Sequence, residues 1–117
     1  MRSKVKHITF PVFSDYIVHV EITSDLKRSM AKYPPTRAVI EAADEACDGM
    51  TIHVEDETFS YIFLPYNASV GTIAHESWHT IKAMMEHLAI ELDSETVAYH
   101  LGYLVDQIFR FMRGRKR

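Results

Sequence analysis

Thr72-Ile73-Ala74-His75-Glu76-Ser77-Trp78-His79-Thr80-Ile81 is the stretch on which the reading of this chain turns. His75 and His79 stand four residues apart, about 40° in azimuth on a helix, so both imidazoles leave one face and can share one metal ion. Glu76 adjoins the first histidine but is turned off that line, where its carboxylate meets a water on the metal instead of the metal itself. The residues around these three are uncharged, which predicts a helix buried on both sides of the site. Asn67 or Ser69 is its N-cap, and the helix runs from about Val70 to Leu88.

A catalytic zinc site takes three protein ligands and keeps a position for water. The segment His87 to Asp93 is long enough for the chain to reverse, and Asp93 caps a last helix that reaches about Met112. Glu95, in the first turn of that helix, is the first choice for third ligand. Asp93, His87 and His100 are the alternatives, and Glu95 can also be read as a carboxylate favoured by the helix dipole. Tyr99 and Tyr103 follow Glu95 by one and two turns on nearly one face, so either can offer a hydroxyl to an oxyanion, with His100 less well placed. Val97, Leu101, Leu104, Val105, Ile108 and Phe109 make a core-facing stripe, and Gly102 and Tyr103 let the two helices approach.

Upstream, Ile8 to Phe13 is a short apolar run. Tyr16 to Thr23 alternates as a half-buried strand, with Ile17, His19 and Glu21 outward. A short helix capped by Ser24 or Asp25 runs to Tyr33 and stops at Pro34-Pro35. A second, with a thin apolar face, runs from Thr36 to about Cys47 and closes at Asp48-Gly49. Thr51 to Asp56 and Phe59 to Tyr66 then form an antiparallel hairpin, with Pro65 ending the second strand. The expected fold is α+β: a small antiparallel or mixed three-stranded sheet with short N-terminal helices, then the His75/His79 helix and a long C-terminal helix, in one domain spanning 1–117.

The 117 residues suffice for a real core, and with 47% hydrophobic and 25% charged residues the composition is that of an ordinary globular chain. A formal charge of −3 excludes the footprint of bulk nucleic-acid binding. Cys47 is the single cysteine, so no internal disulfide forms; it reads as a small hydrophobe in a reducing compartment. Met1 to His7 is not backed by a signal-peptide apolar region, and no apolar run reaches membrane-spanning length. A cytoplasmic location follows as the expectation, with no membrane partner. The basic tail from Arg113 to Arg117 reads as a solvated helix end.

The residues His75, Glu76 and His79 with Glu95-x-x-Ala98 resemble a minimal gluzincin, the zincin class with two helical histidines and a glutamate from a later helix. The likeness covers about Thr72 to Tyr103. It departs at Tyr99, which stands where that class commonly has an Asp that supports a histidine ligand. The arrangement is also similar to small phage-encoded metallopeptidase-like proteins, whose cytoplasm would be the host's. The resemblance implies a zinc cofactor held by His75, His79 and Glu95. It implies peptide-bond hydrolysis by a metal-bound water with Glu76 as general base, on a protein or peptide substrate pairing with the strand Tyr61 to Tyr66. The rival from another class is a catalytically silent zinc-fold binding protein acting through a partner interface; a metal-free module with a chance motif is the third.

Overall fold

The computed structural model describes residues 1–42 and 48–114. Four strands build one mixed sheet in the order β1-β2-β4-β3: β1 (Ser3–Thr9), β2 (Ile17–Thr23), β3 (Met50–His53) and β4 (Phe59–Pro65). β1 runs antiparallel to β2, from Ser3 opposite Thr23 to Thr9 opposite Ile17. β2 and β4 are parallel, and β3 lies antiparallel to β4 on the outer edge, with Met50 opposite Phe63.

The sheet thus has one strand more than the sequence pattern suggests. β1 is hidden by its lysines. Lys4 and Lys6 occupy the half-buried positions that precede Ile8 on one face, while Val5 and His7 are exposed on the other. Apolar alternation is absent because Lys4 serves a distant helix end, where its ammonium donates to the carbonyls of Phe111 (2.8 Å) and Met112 (3.3 Å). A cation at those carbonyls answers the unpaired acceptors at the end of the last helix. The apolar run Ile8 to Phe13 continues past this strand into the β1–β2 loop, where Phe10 is buried.

Two helical layers cover the sheet. On one face Val18, Val20, Ile22, Ile62 and Leu64 meet α3 (Val70–His87) and α4 (Ser94–Met112) through Ile73, Ile81, Met84, Met85, Leu104 and Ile108. Each such side chain contributes roughly 1.5–3 kcal/mol by leaving water. Both long helices begin where their capping residues stand: Ser69 Oγ accepts from Thr72 N at 3.1 Å, and Asp93 Oδ1 from Thr96 N at 2.9 Å. The opposite face carries Tyr61 and Phe63 against Met30 of α1 (Leu26–Met30), with Tyr33 packed alongside.

That second face corrects the reading of β2 as half-buried. Sandwiched between β1 and β4 and covered on both sides, β2 buries His19 and Glu21 as fully as its valines. The two polar residues are tolerated because partners converge on them. Glu21 accepts from Lys32 Nζ (2.6 Å), Tyr33 Oη (2.7 Å) and His19 Nε2 (3.1 Å), and His19 Nδ1 lies 3.0 Å from His7 Nε2. Burial pushes the Glu21 pKa up, but the hydrogen bonds from Lys32, Tyr33 and His19 outweigh it and hold the carboxyl below its usual range. Burial lowers the pKa of His19 against the opposing pull of Glu21.

α1 is shorter than its pattern suggests, ending at Met30, and Asp25 rather than Ser24 is its cap. Pro34 starts a helical turn instead of only stopping one: α2 (Pro34–Arg37) has proline at its first position, where no N–H is needed. The long helix expected from Thr36 is not formed over its first part, since α2 ends at Arg37 and a single 3₁₀ turn follows at Ile40–Ala42. The rest of that expected helix, including Cys47, lies outside the described residues, as do the last three residues of the basic tail. Among the described residues no helix is long and apolar enough to cross a membrane.

Candidate metal centre

α3 has two flanks besides its core stripe of Ile73, Ser77, Thr80, Ile81 and Met84. One faces α4; the other faces the edge strand β3 and carries His75, His79 and Ala83 above a groove of about 420 Å³. The groove is also lined by Gly49, Met50, Thr51, His53 and Glu76.

The two histidines converge. Their Nε2 atoms are 3.1 Å apart and their rings stand nearly perpendicular, 86°. Two nitrogens bound to one zinc ion at 2.0–2.1 Å with a tetrahedral angle lie about 3.3 Å apart, so the pair already has the spacing of a chelate. The site is more open than the uncharged neighbours suggest: the His75 side chain is 65% exposed, and Trp78 is 37% exposed. The helix is buried on its sheet side only.

Glu76 is the exception, at 7% exposure in the seam between α3 and β3. Its Oε1 accepts a 2.6 Å hydrogen bond from the Thr51 hydroxyl, and its Oε2 sits 3.9 Å from His75 Nε2. One carboxylate oxygen is therefore anchored to the strand while the other looks toward the histidine pair. Gly49 makes this fit possible. A Cβ there would come within 3.1 Å of Glu76 Cγ and of Leu64 Cδ2 and 3.3 Å from the Phe63 carbonyl oxygen, so only glycine admits this approach without displacement. Gly49 and Thr51 are contributors that the sequence pattern does not mark; the Asp-Gly pair is visible there, but as a turn signal.

His53 is unmarked as well. It lines the same groove, and its Nδ1 is 2.7 Å from the hydroxyl of buried Tyr16, which also bonds Ser60 Oγ at 2.5 Å. Burial, then the neighbouring His87, lowers the His53 pKa, against the opposing pull of Asp56.

The remaining expected site residues fall elsewhere. Glu95 is exposed in the first turn of α4, and among the described residues no group of three or more His, Cys, Asp or Glu side chains is arranged to hold a metal ion. Of the alternatives, Asp93 is engaged as a cap by Thr96, and His87 faces the His53 ring at 5.1 Å. His100 is buried against Phe13 at 4.8 Å and donates from Nδ1 to the Thr96 carbonyl. Tyr103 donates to the Thr9 carbonyl at 3.1 Å and packs on Phe10, and Tyr99 points to solvent, so neither lines the groove. The strand expected to pair with a peptide, β4, is interior; the free edge beside the site is β3.

Comparison of the chain with protein-family models, with curated proteins and with solved structures gives no match.

Proposed function

We propose that this protein is a zincin-like, zinc-dependent peptidase acting in the groove between α3 and β3. The observation that carries the reading is the pairing of two converging imidazoles, Nε2 to Nε2 at 3.1 Å, with a carboxylate whose second oxygen faces them. His75 and His79 would hold the ion, and Glu95, which is exposed on the first turn of α4 and is not among the residues lining the groove, would have to be brought to it as the third ligand. When bound, zinc supplies a Lewis acid that acidifies water and polarises a carbonyl. Glu76 Oε2 would serve as the base toward an attacking water and then as the proton donor to the leaving amine, while the Thr51 hydroxyl holds Oε1 and keeps the carboxylate from rotating away.

Recognition of the chain to be cut falls to β3. Among the described residues no strand pairs with its outer edge, and an extended peptide can add to it. The donor that fits a polarised carbonyl is His53 rather than Tyr99 or Tyr103, because His53 lines the groove and its ring is oriented by Tyr16. A second reading is a zinc-fold binding protein without turnover, which needs the His75/His79 pair but no hydrolytic role for Glu76.

Glu76→Gln separates the two. For a peptidase, the variant keeps zinc but loses at least about a thousandfold in hydrolysis of a peptide mixture read by mass spectrometry. A wild-type protein that binds zinc and cleaves nothing supports the binding reading. Glu95→Gln tests the third ligand: zinc affinity falls at least tenfold if Glu95 coordinates, and is unchanged if it does not.

A further inference from the structure

At the Ala83 end of the groove a second pair of imidazoles stands apart from His75 and His79. His53, the last residue of β3, and His87, the last residue of α3, face each other with ring centres 5.1 Å apart and planes inclined at 55°. His87 lies two turns and about 12 Å along the helix from His79, too far for one ion to serve both. Two imidazoles bound to one zinc ion at 2.0–2.1 Å with a tetrahedral angle place their ring centres about 5.2 Å apart. The backbones of His53 and His87 are thus already placed for a shared ion, and only ring rotation is left to bring the nitrogens onto it.

His53 is also held as a ligand has to be. A metal-bound histidine keeps its second nitrogen on a hydrogen-bond partner, which fixes the tautomer. His53 Nδ1 is 2.7 Å from the hydroxyl of buried Tyr16, which is in turn 2.5 Å from Ser60 Oγ. With Nδ1–H donating to Tyr16 and Tyr16 donating to Ser60, the lone pair of Nε2 is left for a metal. Charge favours a cation here as well. The β3–β4 turn carries Glu55, Asp56 and Glu57, and no lysine or arginine occurs between residues 48 and 69. Asp56 is near enough for its charge to act on the His53 ring, as is His87. His87 closes α3, whose carbonyl end is the negative end of the helix dipole.

We infer that His53 and His87 form a second site for a borderline divalent cation such as zinc, with Asp56 as the neighbouring carboxylate and water completing the shell. Its rings must still turn, whereas the Nε2 atoms of His75 and His79 already converge, so this is the weaker of the two sites and empties on dialysis. The site itself does not rest on the peptidase reading. Its consequence does: with Nε2 on a metal, His53 no longer donates to a polarised carbonyl, and occupation slows hydrolysis.

Isothermal titration of the full chain with zinc chloride tests it. Wild type already holding one zinc should take up a second with a dissociation constant of about 1–100 µM. His87→Gln and His53→Gln should each abolish that uptake and keep the first zinc, with unchanged far-UV circular dichroism. His79→Ala should lose the first zinc and keep the second. Tyr16→Phe should weaken the second event about tenfold, because the tautomer of His53 is no longer fixed. Nitrogen NMR of the imidazoles should show the second equivalent shifting His53 Nε2 while Nδ1 stays protonated. If the His75/His79 centre does not exist, wild type takes up a single zinc that is lost in His87→Gln and kept in His79→Ala, and the inference stands. A wild type that takes up no zinc sensitive to His87→Gln at concentrations up to about 1 mM overturns it, and so does a second uptake that survives both His87→Gln and His53→Gln.

Discussion

Among the described residues two clusters of histidine and glutamate stand one on each side of the sheet, and they differ in everything except residue type. His7, His19 and Glu21 form a hydrogen-bonded chain on β1 and β2, closed by Lys32 and Tyr33, with Glu21 and His19 buried. His75, His79 and Glu76 stand on α3 with both imidazoles facing solvent and one carboxylate oxygen turned toward them. In the first cluster the Glu21 carboxylate is met by Lys32, Tyr33 and His19, and both Glu21 and His19 are buried. In the second the donors converge on open space. The difference teaches that residue type sets what a cluster can do, while satisfaction and access decide whether it does it.

Four perturbations sharpen that contrast, and the largest is in the open cluster. Glu76→Gln should cost at least about a thousandfold in turnover, roughly 4 kcal/mol in the barrier, while changing thermal stability little, because the amide can still accept from Thr51. Glu21→Ala should do the reverse. It strands His19, Tyr33 and Lys32, and chemical denaturation should show a loss of about 3 kcal/mol. That is the low end for a broken buried pair, because the Lys32 side chain is 39% exposed and can rehydrate. Zinc binding by Glu21→Ala should equal that of the wild type.

Gly49→Ala is intermediate. The added methyl displaces Glu76 by a few tenths of an ångström, and turnover should fall about tenfold with a stability loss near 1 kcal/mol. A variant with unchanged kinetics would mean that the position of Glu76 is not set by β3.

The smallest effect is a pH slope in the closed cluster. The folded-state pKa of His19 is depressed by burial, so on acidification the unfolded chain takes up its proton first, near the ordinary value of about 6.5. Stability is fully present above that value and is lost as pH falls through the folded pKa. His53 adds a slope of the same sign. Urea denaturation at pH 7 and 5.5 should show this loss, and His19→Gln should retain only the part due to His53.

How far the sequence can be read follows the same contrast. The two long helices are legible almost to the residue, because Ser69 and Asp93 are true caps and each helix carries a clear apolar stripe. The β3/β4 hairpin and the end of β4 at Pro65 are legible too. β1 is not, since Lys4 is placed to cap α4, more than a hundred residues away. The two-sided burial of β2 escapes notice because His19 and Glu21 look like a solvent face until Lys32 and Tyr33 are brought over them. At the metal centre, the histidine pair and Glu76 follow from helical spacing alone. Thr51 and His53 of β3, and Gly49 just before it, lie some 25 residues earlier, and no local pattern joins them to α3.

Zinc stoichiometry tests the convergence of His75 and His79 on one ion most directly. Protein stripped with chelator, reconstituted with zinc and dialysed should carry about one zinc per chain by elemental analysis. His79→Ala treated alike should carry essentially none, and His19→Gln should match the wild type. A wild type that stays well below one zinc after reconstitution, or a His79→Ala variant that keeps its metal, would contradict a metal centre on α3.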